Sequence, residues 1–275
     1  MGSYLSIDEV SLSQGELYTF VTNKAGKGKK GTLVASIKGT LSKDIIAVLM
    51  KLSEGKRLQV KEVTLDMANN MEASVSIAFP EAMLVTDRFH VVKLAMEALQ
   101  HLRVSERWKE LDKENEAIKT AKLEGKKYHP IVLENGDTPK QLLARSRYIL
   151  AKKQEDWTPS QQQRATILFK NYPHIKQAYH QTLSFRNIYE DKNINSARTR
   201  FTNWIKEIME KENRKFYTVA NTVKNNLENI LNFFINRNTN ANAESFNSKI
   251  KLFRANQRGV VDVPFFLFRL HKLFA

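Results

Sequence analysis

Apolar positions come in short runs near the start of the chain and recur at helical spacing later. Residues 3–12 and 16–23 are rich in apolar, β-branched and aromatic side chains, clearest in Tyr18-Thr19-Phe20-Val21-Thr22. They predict two strands joined by a turn at Ser13-Gln14-Gly15. A glycine- and lysine-rich turn, Lys24 to Gly31, leads to a third strand over Thr32-Leu33-Val34-Ala35-Ser36-Ile37. Residues 42–53 then hold Ile45, Ile46, Val48, Leu49 and Leu52 at helical spacing, with Ser42 placed as an N-cap. A strand over 60–66 and a short helix over about 69–78 follow. After Pro80, the apolar run from Ala82 to Asp87 predicts a strand buried on both faces. The order β-β-β-α-β-α-β predicts a mixed sheet with helices on its faces.

From about residue 90 to 236 the pattern is helical throughout. Thr158-Pro159-Ser160-Gln161 is a capping box with proline at the first helical position, Pro173 opens the next helix, and 195–211 form another around Trp204. The stretch 121–140 reads as a long loop, and the last part of the chain as two helices split near Gly259 and Pro264. The domain reading is therefore α/β: a core over 1–90, an all-helical insertion over 91–236, and completing helices over 237–275.

Composition changes the picture toward a polyanion partner. The chain has 275 residues with 44 Lys+Arg against 29 Asp+Glu, a net charge of +15, and 42% hydrophobic residues, enough for a real core. It has no cysteine, which excludes disulfides, Cys-ligated zinc and iron–sulfur clusters. No basic segment followed by an apolar core opens the chain, and no apolar run approaches the ~20 residues of a membrane span. The expectation is a cytoplasmic protein with no membrane partner.

Against that basic background a few acids stand out. Asp8 sits within Tyr4-Leu5-Ser6-Ile7-Asp8-Glu9-Val10, Asp66 ends Val63-Thr64-Leu65-Asp66, and Glu244 lies in Asn240-Ala241-Asn242-Ala243-Glu244-Ser245-Phe246-Asn247. A carboxylate at the end of an apolar strand is costly to bury and is usually met by a cation. Three such groups converging would hold two Mg²⁺ ions, with Mn²⁺ expected to substitute, and so handle phosphodiester bonds. Asp8 and Asp66 suit a ribonuclease-H-type sheet, where the first and fourth strands are neighbours. Taken singly, each would pass for an ordinary strand-end aspartate.

Glu244 heads a polar stripe, Asn240, Glu244, Asn247, Lys251, Arg254 and Arg258, spaced 4, 3, 4, 3 and 4. That spacing predicts an exposed, largely basic ridge. Asp87-Arg88-Phe89-His90 puts an acid and an imidazole at a strand-to-helix junction, where the histidine could orient a metal carboxylate. A structural His–Asp pair is the plainer account. Gly26-Lys27-Gly28-Lys29-Lys30-Gly31 matches a dinucleotide fingerprint in letters, but a strand follows it instead of a helix, so the match fails. The glycines are expected to permit positive φ in a hairpin loop. Lys27, Lys29 and Lys30 are candidate phosphate contacts, although a solvated turn explains them equally well. Arg88, Asn247, Lys251, Arg254 and Arg258 complete the candidate DNA contacts.

Leu65-Asp66-Met67-Ala68, Val85-Thr86-Asp87-Arg88-Phe89-His90-Val91 and the Asn240–Asn247 phrase resemble the DDE transposases of bacterial insertion sequences, most closely the ISL-three family. The resemblance runs over nearly the whole chain. It implies a ribonuclease-H-like mixed sheet with a large all-helical insertion before the last catalytic helix. It also implies that Asp8, Asp66 and Glu244 are catalytic and metal-binding, and that Asp87 and His90 match the [C/D]-x-x-H signature. Asp87 is the rival for second aspartate; Asp66 is preferred because its strand is the one expected beside that of Asp8.

The activity implied is metal-dependent DNA strand cleavage and strand transfer, in a bacterial, nucleoid-associated protein acting as a homo-oligomer on transposon ends and target DNA. Many relatives carry a zinc-binding and helix-turn-helix region ahead of the catalytic domain. End recognition is therefore expected from a separate DNA-binding polypeptide or a missing N-terminal domain. A ribonuclease-H-fold nuclease without strand transfer and a non-catalytic DNA-binding remnant are the alternatives.

Overall fold

A computed structural model describes residues 1–12, 15–210, 214–257 and 262–275. The chain opens with strands β1 (Tyr4–Ser11), β2 (Leu17–Asn23) and β3 (Leu33–Lys38). Helices α1 (Ser42–Leu49) and α2 (Glu54–Leu58), strand β4 (Glu62–Leu65), helix α3 (Asn69–Ala78) and strand β5 (Met83–Thr86) follow. Helix α4 runs from Arg88 to Leu123, and α5 (Pro139–Arg145), α6 (Pro159–Asn171), α7 (Pro173–Ile188), α8 (Ile194–Met209) and α9 (Arg214–Asn225) come next. The chain closes with α10 (Leu227–Leu231), α11 (Phe233–Asn236), α12 (Ala241–Asn256) and α13 (Val263–Phe274). Two compact units emerge: residues 1–91 with 226–275, and residues 92–225.

In the first unit the strands form one mixed sheet in the order β3-β2-β1-β4-β5. β1 pairs antiparallel with β2 and parallel with β4, and β4 pairs parallel with β5. The first and fourth strands are thus neighbours, as expected. Odd-numbered residues of β1 and β4 point one way. Leu5, Ile7, Val63 and Leu65 join Val21, Ala35 and Ile37 in a core with Ile45 and Leu49 of α1 and Met71, Val75 and Ala78 of α3. The opposite side packs Val10, Tyr18, Phe20 and Leu33 on Phe246 and Ile250 of α12 and Phe266 and Leu270 of α13. Each buried Leu, Ile or Phe contributes roughly 1.5–3 kcal/mol to this two-sided core.

Two local expectations change in the structure. Ser42 is the first residue of α1 and not its cap; its hydroxyl donates to the Asn70 carbonyl at 2.9 Å, tying α1 to the start of α3. β5 is buried on both faces only at its end, where Val85 and Thr86 are 0% and 3% exposed. Met83 and Leu84 are half-buried because β5 is an edge strand. Asn232 of α10–α11 caps that edge, its amide donating to the Leu84 carbonyl at 2.8 Å.

In the second unit the described residues are helices and loops. The capping box at Thr158 and Gln161 is formed, with Pro159 at the first helical position. Pro173 opens α7, and Trp204 of α8 is buried, its indole N–H donating to the Gln181 carbonyl at 2.9 Å. The loop after α4 closes on buried Asp137, which binds Arg145 and, at 3.1 Å, Arg164.

Candidate active site

Asp8 stands on the side of the sheet that faces α12. Its Oδ1 accepts the Glu9 N–H at 2.9 Å and its Oδ2 accepts the Asn247 amide at 2.6 Å. Burial pushes its carboxyl from the ordinary 3.8 up to about 6. The Glu9 N–H and the charge of His90 oppose that rise, while Asp66 and Glu244 add to it.

Asp66 lies one residue beyond β4, its Oδ1 accepting the Ala68 N–H at 3.1 Å in the turn that starts α3. Ser6 pairs with Thr64 in the parallel ladder. Two residues further along each strand come Asp8 and Asp66, so the ladder brings them level. Sequence reasoning passed over Glu9, which is half-buried and pushed up by burial and by Asp66, with a hydrogen bond to Asn70 opposing. Its adjacency to Asp8 was the available signal.

Glu244 sits in the first turn of α12, where the helix dipole favours an acid, and its side chain is exposed. Asp87 is buried. Its Oδ1 accepts the Asn240 N–H at 3.1 Å, and its Oδ2 lies 3.3 Å from His90 Nδ1. Asp87 thereby fixes the entry to α12, and its hydrogen bond is the main cause that raises the His90 pKa. Asp87 and His90 face each other at ion-pair distance, and His90 acts on Asp8 through its charge.

Several buried polar atoms in this region lack a hydrogen-bond partner among the described residues: Ser6 Oγ, Asp87 Oδ2, His90 Nδ1, both side-chain atoms of Asn240, and Asn247 Oδ1. Unmet polar atoms beside a carboxyl whose pKa is raised by burial and by neighbouring acids are the marks of a site suited to a cation or polar ligand. Among the described residues, however, no three His, Asp or Glu side chains gather closely enough to share one ion. Asp66 and Glu244 each lie within charge range of Asp8, but the three do not converge on a point.

A second polar group on the same side of the sheet went unpredicted. Buried Glu62 accepts from Lys24 at 3.2 Å and from Asn236 at 2.9 Å, and Lys24 also bonds Thr64. It links the β2–β3 connection, β4 and α11. A glutamate opening an otherwise apolar strand was its only trace in the sequence.

The candidate DNA contacts sort differently. Lys27, Lys29, Lys30, Arg88 and Lys251 are exposed. Gly28 and Gly31 adopt φ of 73° and 86°, whereas Gly26 is needed because a Cβ would meet Thr32 backbone at 2.6 Å. Lys249 donates to the Gly28 carbonyl at 3.0 Å and docks this loop on α12. The uniform basic ridge does not form. Asn240, Asn247 and Arg254, seven residues apart, turn inward, while Glu244 and Lys251 stay exposed. Arg254 pairs with Glu16 at 3.2 Å and lies over the Phe266 ring, so it is packed and not offered to phosphate. Arg258 lies outside the described residues.

A transposase family model matches residues 5–270, nearly the whole chain. The chain belongs to the ISL-three family of DDE transposases. Family membership makes DNA the partner and a DNA-acting enzyme the class of activity. No curated protein and no solved structure matches the chain. Among the described residues, no helix of this transposase-family chain is long and apolar enough to cross a membrane.

Proposed function

We propose that this chain is the catalytic domain of a DDE transposase, built on a ribonuclease-H-like sheet, that cleaves DNA at transposon ends and transfers the freed strand. The observation that carries the reading is the field around Asp8: Asp66 from the adjacent parallel strand and Glu244 from α12 both act on it. Asp66 is favoured over Asp87 as second aspartate, because its strand lies parallel beside that of Asp8 and its charge acts on Asp8.

The donor set is all carboxylate oxygen, which suits Mg²⁺ or Mn²⁺. Asp8, Asp66 and Glu244 would hold two such ions, which when bound supply charge neutralisation and Lewis acidity at the phosphodiester. Asn247 keeps the Asp8 carboxylate aimed across the sheet. Asp87 holds the start of α12, and so Glu244, against β5. In the reaction, water breaks one P–O bond and frees a 3′-hydroxyl. That hydroxyl then attacks a target phosphodiester, exchanging one P–O bond for another.

The test is a nicking and strand-transfer assay on DNA carrying the element's ends. Asp8→Asn, Asp66→Asn and Glu244→Gln should each abolish Mg²⁺-dependent nicking with the fold intact, and weaken Mn²⁺ binding in titration calorimetry. Wild-type cleavage by Asp66→Asn would move the assignment to Asp87. Nicking without joined products would reduce the activity to that of a nuclease.

A further inference from the structure

The helical unit holds a cluster of cations with no acid set against it. Arg103 of α4 is buried; its Nε–H donates to Gln100 at 2.7 Å and its Nη1 to the Leu143 carbonyl at 2.8 Å. Gln100 in turn donates to the Arg147 carbonyl at 3.2 Å, clamping the turn after α5 onto α4. These bonds bring three guanidinium groups together. After burial, the charges of Arg147 and Arg107 are what lower the Arg103 pKa.

The neighbouring acids are engaged elsewhere. Glu106 pairs with Lys109 at 2.7 Å and lies 3.4 Å from His174, and Glu110 pairs with Lys113 at 2.7 Å. Arg107 and Arg147 are exposed and have no ion pair among the described residues. Backbone-carbonyl bonds that hold like charges together leave a site that a bound anion would relieve.

Each of the two exposed arginines has an exposed aromatic residue next to it in the chain. Tyr148 is 69% exposed, with the Arg147 guanidinium 5.6 Å from its ring centroid, and Trp108, next to Arg107, is 58% exposed. Cations interleaved with exposed rings suit unpaired nucleotides, since a duplex keeps its base faces stacked inside while a single strand presents them.

We propose that this surface binds single-stranded DNA, with Arg107 and Arg147 taking backbone phosphates and Tyr148 and Trp108 stacking on bases. The inference rests on the DNA-acting reading above and adds a second binding surface on the helical unit. Every base has a stackable face, so the surface has little sequence preference.

The test measures binding of the full chain to labelled oligo-dT of about fifteen nucleotides, within the usual single-strand site sizes, and to a duplex of equal length. Arg107→Ala with Arg147→Ala should flatten the salt dependence of log K for oligo-dT by about 1.4 units, two contacts at ~0.7 each. The lysine pair, Arg107→Lys with Arg147→Lys, should keep the wild-type slope. Tyr148→Ala and Trp108→Ala should each weaken oligo-dT binding about tenfold. Trp108→Phe should bind but lose the tryptophan fluorescence quench seen on adding oligo-dT. All four side chains are exposed, so thermal midpoints should stay at the wild-type value.

A double alanine variant with wild-type slope, in a protein that still nicks DNA, overturns this inference and leaves the proposed function standing. Equal loss of duplex and oligo-dT binding overturns the single-strand assignment. A wild-type chain that binds neither form overturns both proposals.

Discussion

Asp8 gains nothing for the fold by being charged. Its carboxyl titrates near 6 because burial and two neighbouring acids disfavour the ion. A raised acid pKa means that stability falls as pH climbs from about 4 through about 6 and stays lower above that. The two-unit shift corresponds to ~3 kcal/mol at the fully desolvated limit, and about half that for a side chain water still reaches. In metal-free protein, Asp8→Asn should therefore raise the thermal midpoint at pH 8 and change it little at pH 4, as melting curves in chelator would read. A midpoint gain equal at both pH values would remove charge from the explanation.

Arg254 makes the opposite point about a charged residue. Its guanidinium is enclosed by Glu16 and Phe266, so Arg254→Ala should cost about 1–3 kcal/mol in urea unfolding. It should leave the salt slope of DNA binding untouched. Exposed Lys251→Ala should do the reverse, lowering a duplex slope by about 0.9 if it meets a phosphate. Charge and helical spacing could not separate these two residues, because burial is set by what packs against the helix.

At the scale of elements, α12 is the piece on which the site depends. It brings Glu244 and Asn247 to Asp8, and it is held to the sheet by Phe246 and Ile250. Phe246→Ala should cost about 3–5 kcal/mol in denaturant unfolding and loosen the Asn247–Asp8 bond with it. A cost below ~1 kcal/mol would mean that α13 and the strands hold the sheet side without it. In the helical unit the capping box acts locally, so Thr158→Ala should cost about 1 kcal/mol. The elements themselves were legible, because alternation, helical spacing and caps are short-range signals. Strands β1 to β5, α3 and the openings of α6 and α7 follow that pattern. Ser42 was misread as a cap because its partner, the Asn70 carbonyl, lies on another helix. The partial exposure of Met83 and Leu84 in β5 was not foreseen because edge position is a property of the sheet.

At the scale of the molecule, the charge of +15 is a statement about DNA binding in general. Neutralising six to ten phosphates gives a duplex slope of about −5 to −9 in log K against log salt. Anisotropy titrations across a salt series should fall in that range; a slope near zero would leave the surplus charge without its proposed partner. The proposed acids were legible as candidates, Asp8 within an apolar strand run, Asp66 at the end of one and Glu244 among amides at a helix start. Their grouping was not visible along the chain. It follows from β1 lying beside β4 and from α12 returning to the same side of the sheet, contacts between residues more than a hundred positions apart in the case of Glu244. The inward turn of Arg254, the docking of Lys249 on Gly28, the Lys24–Glu62–Asn236 group and the convergence of Arg103, Arg107 and Arg147 belong to the same class. By itself the sequence determined which segments are strands or helices and that the chain carries the surplus charge of a polyanion binder, and it named the acids proposed here as the site, because propensity, periodicity and charge are carried by residues and their near neighbours. Only the tertiary structure decided which charges meet, which are buried and which stay open to DNA, because those depend on the packing of distant segments, where burial and Coulomb energy are set.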